Sequence, residues 1–325
     1  MAAASEPPPI AGGIGVRLLD APASAGDDPR AQLYIVDHLA PGAVITRRVE
    51  VSNGTISTER VSLYSSGAAI VNGLFVGAAR GSSNDLSTWT AVTPDVDDIA
   101  AGGRSIATVT ISVPADAAPG EQYGVVWAEV RSDPSVEGGL TQVSRVGVRL
   151  YVSVGPGGPP PADFTIDSVT ARRSPAGVPS IVADVHNTGG RALDLAGSVQ
   201  LTGGPGGLSA GPFPIDLGVT LAIGTTEPIT VVFDQALPSG PWQVVITLHS
   251  GLVEHSARAS IVFPEIGTAA PVKTSSSRYG WSLMTPFGVA VVLIASTMVI
   301  RRRRRRRPQH ASASRQPWGP PAAAV

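Results

Sequence analysis

"RVGVRLYVSV", residues 145–154, decides the fold. Val146, Val148, Leu150, Val152 and Val154 fall on one side of an extended chain, and Arg145, Gly147, Arg149, Tyr151 and Ser153 on the other. Period-two alternation rich in β-branched residues predicts a strand with one face buried, because successive side chains of a strand point to opposite faces. The same pattern recurs on both sides of this stretch. "RRVEVSN" turns Val49 and Val51 one way, and "TVTISVP" does so with Val109, Ile111 and Val113.

Immediately after it comes "GPGGPPPA", 155–162, which neither a strand nor a helix crosses. It is read as a stiff interdomain linker. The alternation then resumes with Phe164 and Ile166, with Ile181, Ala183 and Val185, and with Val199 and Leu201. Ile229, Val231 and Phe233 follow, then Trp242, Val244, Ile246 and Leu248, then Ile261 and Phe263. Short strands separated by Gly, Pro and Asn turns predict an antiparallel β-sandwich. The two halves also resemble each other. Residues 99–130 run parallel to 221–248, and "VEVSNGT" matches "ADVHNTG", a strand closing on an Asn in a turn.

The expected architecture is all-β: two tandem immunoglobulin-like sandwiches followed by one C-terminal transmembrane helix. The expected boundaries are a disordered N-terminus at 1–13, a first domain at 14–155, the linker to 162 and a second domain at 163–264. A Ser/Thr-rich stalk at 265–280, a span at 281–300 and a basic tail at 301–325 complete the chain.

Composition agrees with short strands and many turns. Of 325 residues, 37 are Gly and 29 are Pro, and only 15% are charged. There is no cysteine, which excludes disulfides, thiol catalysis and thiolate metal sites. Eight of the 24 basic residues lie in 301–325, which holds no acid, so the remaining 300 residues carry 16 basic against 25 acidic residues.

Residues 281–300, "WSLMTPFGVAVVLIASTMVI", are uncharged and run directly into Arg301, Arg302, Arg303, Arg304, Arg305, Arg306 and Arg307. As a helix they would extend roughly 30 Å, about one hydrocarbon core. The arginine run is read as a topology signal that places the tail in the cytoplasm and the body outside, in preference to a nucleic-acid tail. The expected localisation is the cell membrane, single-pass. An outside body requires an export signal, and "MAAASEPPPIAGG" supplies none, so the signal is expected upstream of this start.

Three stretches carry a resemblance: "YIVDHLAPGAVITRRVEVSNGT" (34–55), "LSTWTAV" (86–92) and "DIAAGGRSIATVTISVPADAAPGEQYGVVWAEV" (98–130). The first domain resembles the peptidoglycan-binding domain of the WxL-interacting protein family. The resemblance implies a Gram-positive surface protein that is anchored in the membrane and engages peptidoglycan or a surface protein. The second domain is only generically immunoglobulin-like. The alternative is a structural stalk or accessory factor of another envelope protein, with no wall affinity of its own.

No catalytic constellation emerges. His249 and His255 straddle a turn without a third ligand, and the Asp95, Asp97, Asp98 cluster lacks the distant carboxylate that calcium sites use. "GGPGG", 203–207, lacks the Lys of a phosphate loop. The chain is read as non-enzymatic, with no metal, no cofactor and no nucleic-acid partner. Trp89, in the polar segment 86–92, is the candidate ligand-binding residue, since an exposed Trp stacks on a sugar ring. The competing reading is a Trp that plugs one end of the sandwich. Tyr64, Tyr123 and Trp127, on strands, are expected in the core.

Overall fold

The computed structural model describes residues 12–22, 25–132, 141–233 and 236–277. They form an all-β structure. Its first half comprises β1 (Ile14–Leu18), α1 (Pro29–Leu33), β2 (Ile35–Leu39), β3 (Val44–Asn53), β4 (Glu59–Val71), β5 (Leu74–Gly77), α2 (Asp85–Trp89), β6 (Thr90–Thr93), β7 (Val96–Ile99), β8 (Arg104–Ser112), β9 (Gly120–Arg131) and β10 (Val143–Val154). Its second half comprises β11 (Phe164–Arg173), β12 (Pro179–Asn187), β13 (Leu193–Thr202), β14 (Ala210–Leu221), β15 (Thr226–Val232), β16 (Trp242–Ser250), β17 (Val253–Ile261), β18 (Gly267–Thr268), β19 (Val272–Lys273) and β20 (Ser275–Ser277).

In the first half a sheet ordered β1-β3-β8-β6 faces one ordered β2-β10-β9-β4-β5, with β7 also on β4. Between them lies a core that includes Val49, Val51, Val109, Ile111, Val148, Leu150 and Val152. In the second half β15-β12-β11, extended by β18 and β19, faces β14-β13-β16-β17-β20. The core there gathers Phe164, Ile181, Val199, Phe233, Trp242, Ile246 and Phe263, among others. The alternating residues face inward in both halves because burying one side of each strand removes apolar surface from water and leaves the polar side wet.

The matched Asn turns are the same device built twice. Asn53 ends β3 and Asn187 ends β12, and both side chains are buried. Each Oδ1 accepts a backbone N–H two residues on, from Thr55 and from Gly189, at 2.9 Å. Each Nδ2 donates to the carbonyl four residues on and to a carbonyl at the turn before the partner strand: Ser57 and Ile99 for Asn53, Arg191 and Leu221 for Asn187. An amide that both donates and accepts closes two turns at once.

The segment 155–162 joins β10 to β11 and rests on the turn at 188–190. Gly190 N–H donates to the Pro161 carbonyl at 2.8 Å and Gly189 N–H to that of Asp163 at 3.0 Å. A Cβ on Gly189 would lie 2.6 Å from both Asp163 N and Pro161 O, so only glycine permits this approach. Of the stalk expected at 265–280, the described residues 265–277 contribute β18, β19 and β20, which pair with β11 and β17.

The expected transmembrane helix is not among the described elements: no helix of the described residues is long and apolar enough to cross a membrane. The stretch 281–300, on which that expectation fell, lies outside the described residues, as do Arg301–Arg307 and residues 1–11 of the N-terminus.

Candidate functional site

The features that stand apart from the two cores meet on β10. Val146, Val148, Leu150, Val152 and Val154 face inward, so the alternate residues, Val143, Arg145, Gly147, Arg149 and Tyr151, lie on the outward face of their sheet. Gly147 is required there. A Cβ would come within 2.5 Å of Val125 Cγ1 and 2.7 Å of Trp127 Cε3, so the missing side chain lets the indole of the neighbouring strand lie across β10. Trp127 donates its Nε1–H to Ser66 Oγ at 2.8 Å, and the Arg145 guanidinium sits 4.5 Å from the ring centroid. This cation–π contact leaves the positive charge exposed at the sheet edge.

Beside it, Glu129 is 2% exposed and accepts from Tyr64 Oη at 2.5 Å, Arg131 Nε at 2.7 Å and Arg80 Nη1 at 3.1 Å. Burial pushes its pKa up. The three donors outweigh that and hold it below the usual glutamate range. Arg80 also covers the Tyr64 ring, 4.8 Å from its centroid.

Farther along β10 the outward face meets the second half. Tyr151 is buried and its ring lies 5.1 Å from Phe75, 5.8 Å from Tyr34 and 5.9 Å from Tyr123. Asp28 caps α1 by accepting Arg30 N–H, and Pro29 occupies the first turn, so this single helical turn delivers Arg30 to the junction. The Arg30 guanidinium stacks 4.0 Å from the Tyr151 centroid. From β13, Asp194, 5% exposed, accepts from Arg30 Nε at 2.7 Å and Arg149 Nη1 at 3.0 Å. It also accepts from Tyr151 Oη at 2.9 Å and Thr220 Oγ1 at 2.8 Å.

Two further contacts tie the halves. Ala192 N–H and Tyr123 Oη both donate to Glu121 Oε2 at 2.7 Å, and Thr220 N–H donates to the Gly73 carbonyl at the tip of the β4–β5 hairpin. Burial opposes the charge on Arg30, but the Asp194 carboxylate outweighs it and raises the Arg30 pKa. Burial raises the pKa of Glu121 despite its two donors. Burial, then the positive charge of Arg30, lowers that of Arg191.

The edge of β10 is its most distinctive part. It pairs antiparallel with β9 over all of Val143–Val154, but parallel with β2 only over Leu150–Val154. Ser132 N–H bonds to the Gln142 carbonyl, so the even-numbered residues of β10 bond to β9. Gly155 N–H bonds to the Leu39 carbonyl, so the odd-numbered ones turn toward β2. Beyond the reach of β2, the outward N–H and C=O groups of Val143, Arg145 and Gly147 and the N–H of Arg149 pair with no strand among the described residues.

Trp89, the candidate from sequence, ends α2 and packs, half-buried, against the first core. It does not join this face. Tyr64, Tyr123 and Trp127, expected in the core, stand on the outward face instead. Their strands alternate, and it is Leu63, Val126 and Ala128 that turn inward. His255 hydrogen-bonds Asp163 at 2.6 Å and lies edge-on to Phe164, while His249 is opposite Glu254 in the register. Asp97 accepts from Ser105, and Asp98 lies 3.9 Å from Arg60. Among the described residues no group of three or more His, Asp or Glu could hold a metal ion. Arg30 and Asp194 escaped sequence reading because 164 residues separate them. No local pattern marks an Asp between two leucines as buried.

No family model matches the chain, and no curated protein matches it. Solved structures with a similar fold include the CupB2 chaperone of Pseudomonas aeruginosa, at 12% identity over 71% of this chain and 97% of that one, with a TM-score of 0.36. The YadV chaperone is 12% identical over 76% of this chain and 99% of its own, with a TM-score of 0.40. The Salmonella enterica SafA pilin in complex with the SafB chaperone gives 11% identity, 81% and 95% coverage and a TM-score of 0.40. Likenesses this low carry no argument about partner or activity.

The expected membership in the WxL-interacting family is corrected by these findings. No family model matches the chain, and the solved structures named above are chaperones, one with its pilin, not peptidoglycan-binding domains. Peptidoglycan as ligand, a membrane-anchored surface role and single-pass localisation leaned on that membership or on the span and lose their support: no family model matches the chain, and no helix among the described residues could cross a membrane.

Proposed function

We propose that this chain is a non-enzymatic binding protein, two immunoglobulin-like sandwiches in tandem divided at 155–162, which takes an extended segment of a protein partner along the open half of β10. The observation that carries this reading is the asymmetry of β10, paired over twelve residues on one side and over five on the other. A row of unpaired main-chain donors and acceptors is a template for strand addition: its hydrogen bonds supply affinity, and the alternating side chains supply selectivity. The buried junction at Asp194 supports the same reading, because it braces one end of β10 through Arg149 and Tyr151.

The test is fluorescence anisotropy with a dye-labelled nonapeptide of alternating Val and Thr, added to the full chain. Val143→Pro removes one outward N–H and no bond to β9, so it should weaken binding several-fold. Proline at exposed Val178, on a turn of the second half, should leave binding unchanged. Equal affinity for all three proteins, or no binding, sinks the proposal.

A further inference from the structure

Resting on that strand-addition reading, we infer that the partner segment alternates apolar and acidic residues, with an acidic side chain opposite Arg145. The register of an added strand fixes what each of its faces meets, because residues directly opposite in a sheet share a face. On the inward face the neighbours are Val146 and Val148. Val146 is only partly buried, although it packs against the first core. β1, at the edge of the facing sheet, runs close to β10 and offers Ile14 and Val16, also partly buried. The seam between these two edges is apolar and incompletely covered, so it accepts alternate apolar side chains.

On the outward face the neighbours are cationic. Arg80, Arg131, Arg145 and Arg149 stand there, with Arg30 behind them, while the carboxylates within bonding distance are Glu129 and Asp194. The Glu129 carboxylate is shared between two arginines, and Asp194 between two more. Arg145, exposed at the open edge, has an aromatic ring beneath it and no carboxylate partner among the described residues. This net positive strip lies on a body whose first 300 residues carry 16 basic and 25 acidic residues. Local charge therefore runs against the overall charge where the main chain is open, and the complementary side chain is a carboxylate. Gly147, two residues along, presents no side chain, so the position opposite it faces the indole of Trp127.

The experiment compares three dye-labelled nonapeptides on the full chain by anisotropy: Val alternating with Glu, with Gln and with Lys. The Glu peptide should bind about three- to tenfold more tightly than the Lys peptide, with Gln between them, and the spread should shrink at 0.5 M salt, as expected for a partly exposed ion pair. Arg145→Gln should abolish the order and Arg145→Glu should invert it, with thermal melts confirming that both variants fold. Equal binding of the three peptides, still weakened by Val143→Pro, overturns the acidic preference and leaves strand addition standing. Binding by none overturns both. A chain that dimerises in sedimentation, and loses the dimer with Val143→Pro, shows that a second copy fills the edge, which overturns the inferred partner.

Discussion

Asp194→Ala should destabilise the molecule more than any other single polar substitution at the junction. Asp194 is 5% exposed and receives two guanidiniums and two hydroxyls. Removing it orphans Arg30, which at 6% exposure cannot regain its hydration in place. Arg149, 34% exposed, regains part of its own. Breaking a buried pair from one side costs about 3–5 kcal/mol, since the charge left behind remains desolvated. At about 2–4 °C per kcal/mol for a folded body of this size class, the melting temperature should fall by about 6–20 °C in differential scanning calorimetry. Arg30→Met, added to Asp194→Ala, removes the orphaned charge and should recover part of the loss. A shift under about 2 °C for Asp194→Ala, or losses that simply add in the double variant, would refute the account of the junction.

The two Asn turns should respond alike. Asn53→Ala and Asn187→Ala each unpair two or more carbonyls and one N–H, costing about 1–3 kcal/mol in urea denaturation. Glu121 and Glu129 should give pH dependences of opposite sign. Burial raises the folded pKa of Glu121 above its ordinary 4.5, so its folded form holds the proton more tightly and stability is lost as pH rises above that value. Glu121→Gln should flatten that decline across pH 4–8 in denaturant titrations. The folded pKa of Glu129 is depressed, so its contribution is present above pH 4.5 and disappears as pH falls through the lowered value, and Glu129→Gln should remove that acid-side loss. Gly147→Ala places a methyl against Val125 and Trp127 and should cost about 1–3 kcal/mol, with a changed near-ultraviolet signal from the displaced indole.

Much of the fold is legible in period-two alternation. The inward residues read from "SIVADVHN", "PITVVF" and "WQVVITL" all sit in the second core, and the paired Asn turns signal a repeated unit that the hydrogen bonds reproduce. What alternation does not show is which of two faces an aromatic takes when both are partly covered. Trp127 shares its strand with inward Val126 and Ala128, and its outward face is closed by Arg145 and by the glycine at 147. Nor does alternation show pairing partners. That β2 stops covering β10 at Leu150 follows from tertiary register, and the Arg30–Asp194 contact from how the two halves meet. The open edge is therefore invisible in "RVGVRLYVSV", although that stretch specifies the strand.

An edge of β10 that is open and takes a strand has a signature at single amides. Residue-resolved amide hydrogen exchange on the full chain, with and without the alternating Val–Glu nonapeptide, tests it most directly. The expected result is fast exchange at Val143, Arg145, Gly147 and Arg149 in the free protein, slow exchange at Ser144, Val146 and Val148, and slowing of the first group alone on peptide addition. Outward amides already as protected as their even-numbered neighbours, or peptide protection that falls elsewhere, would contradict it.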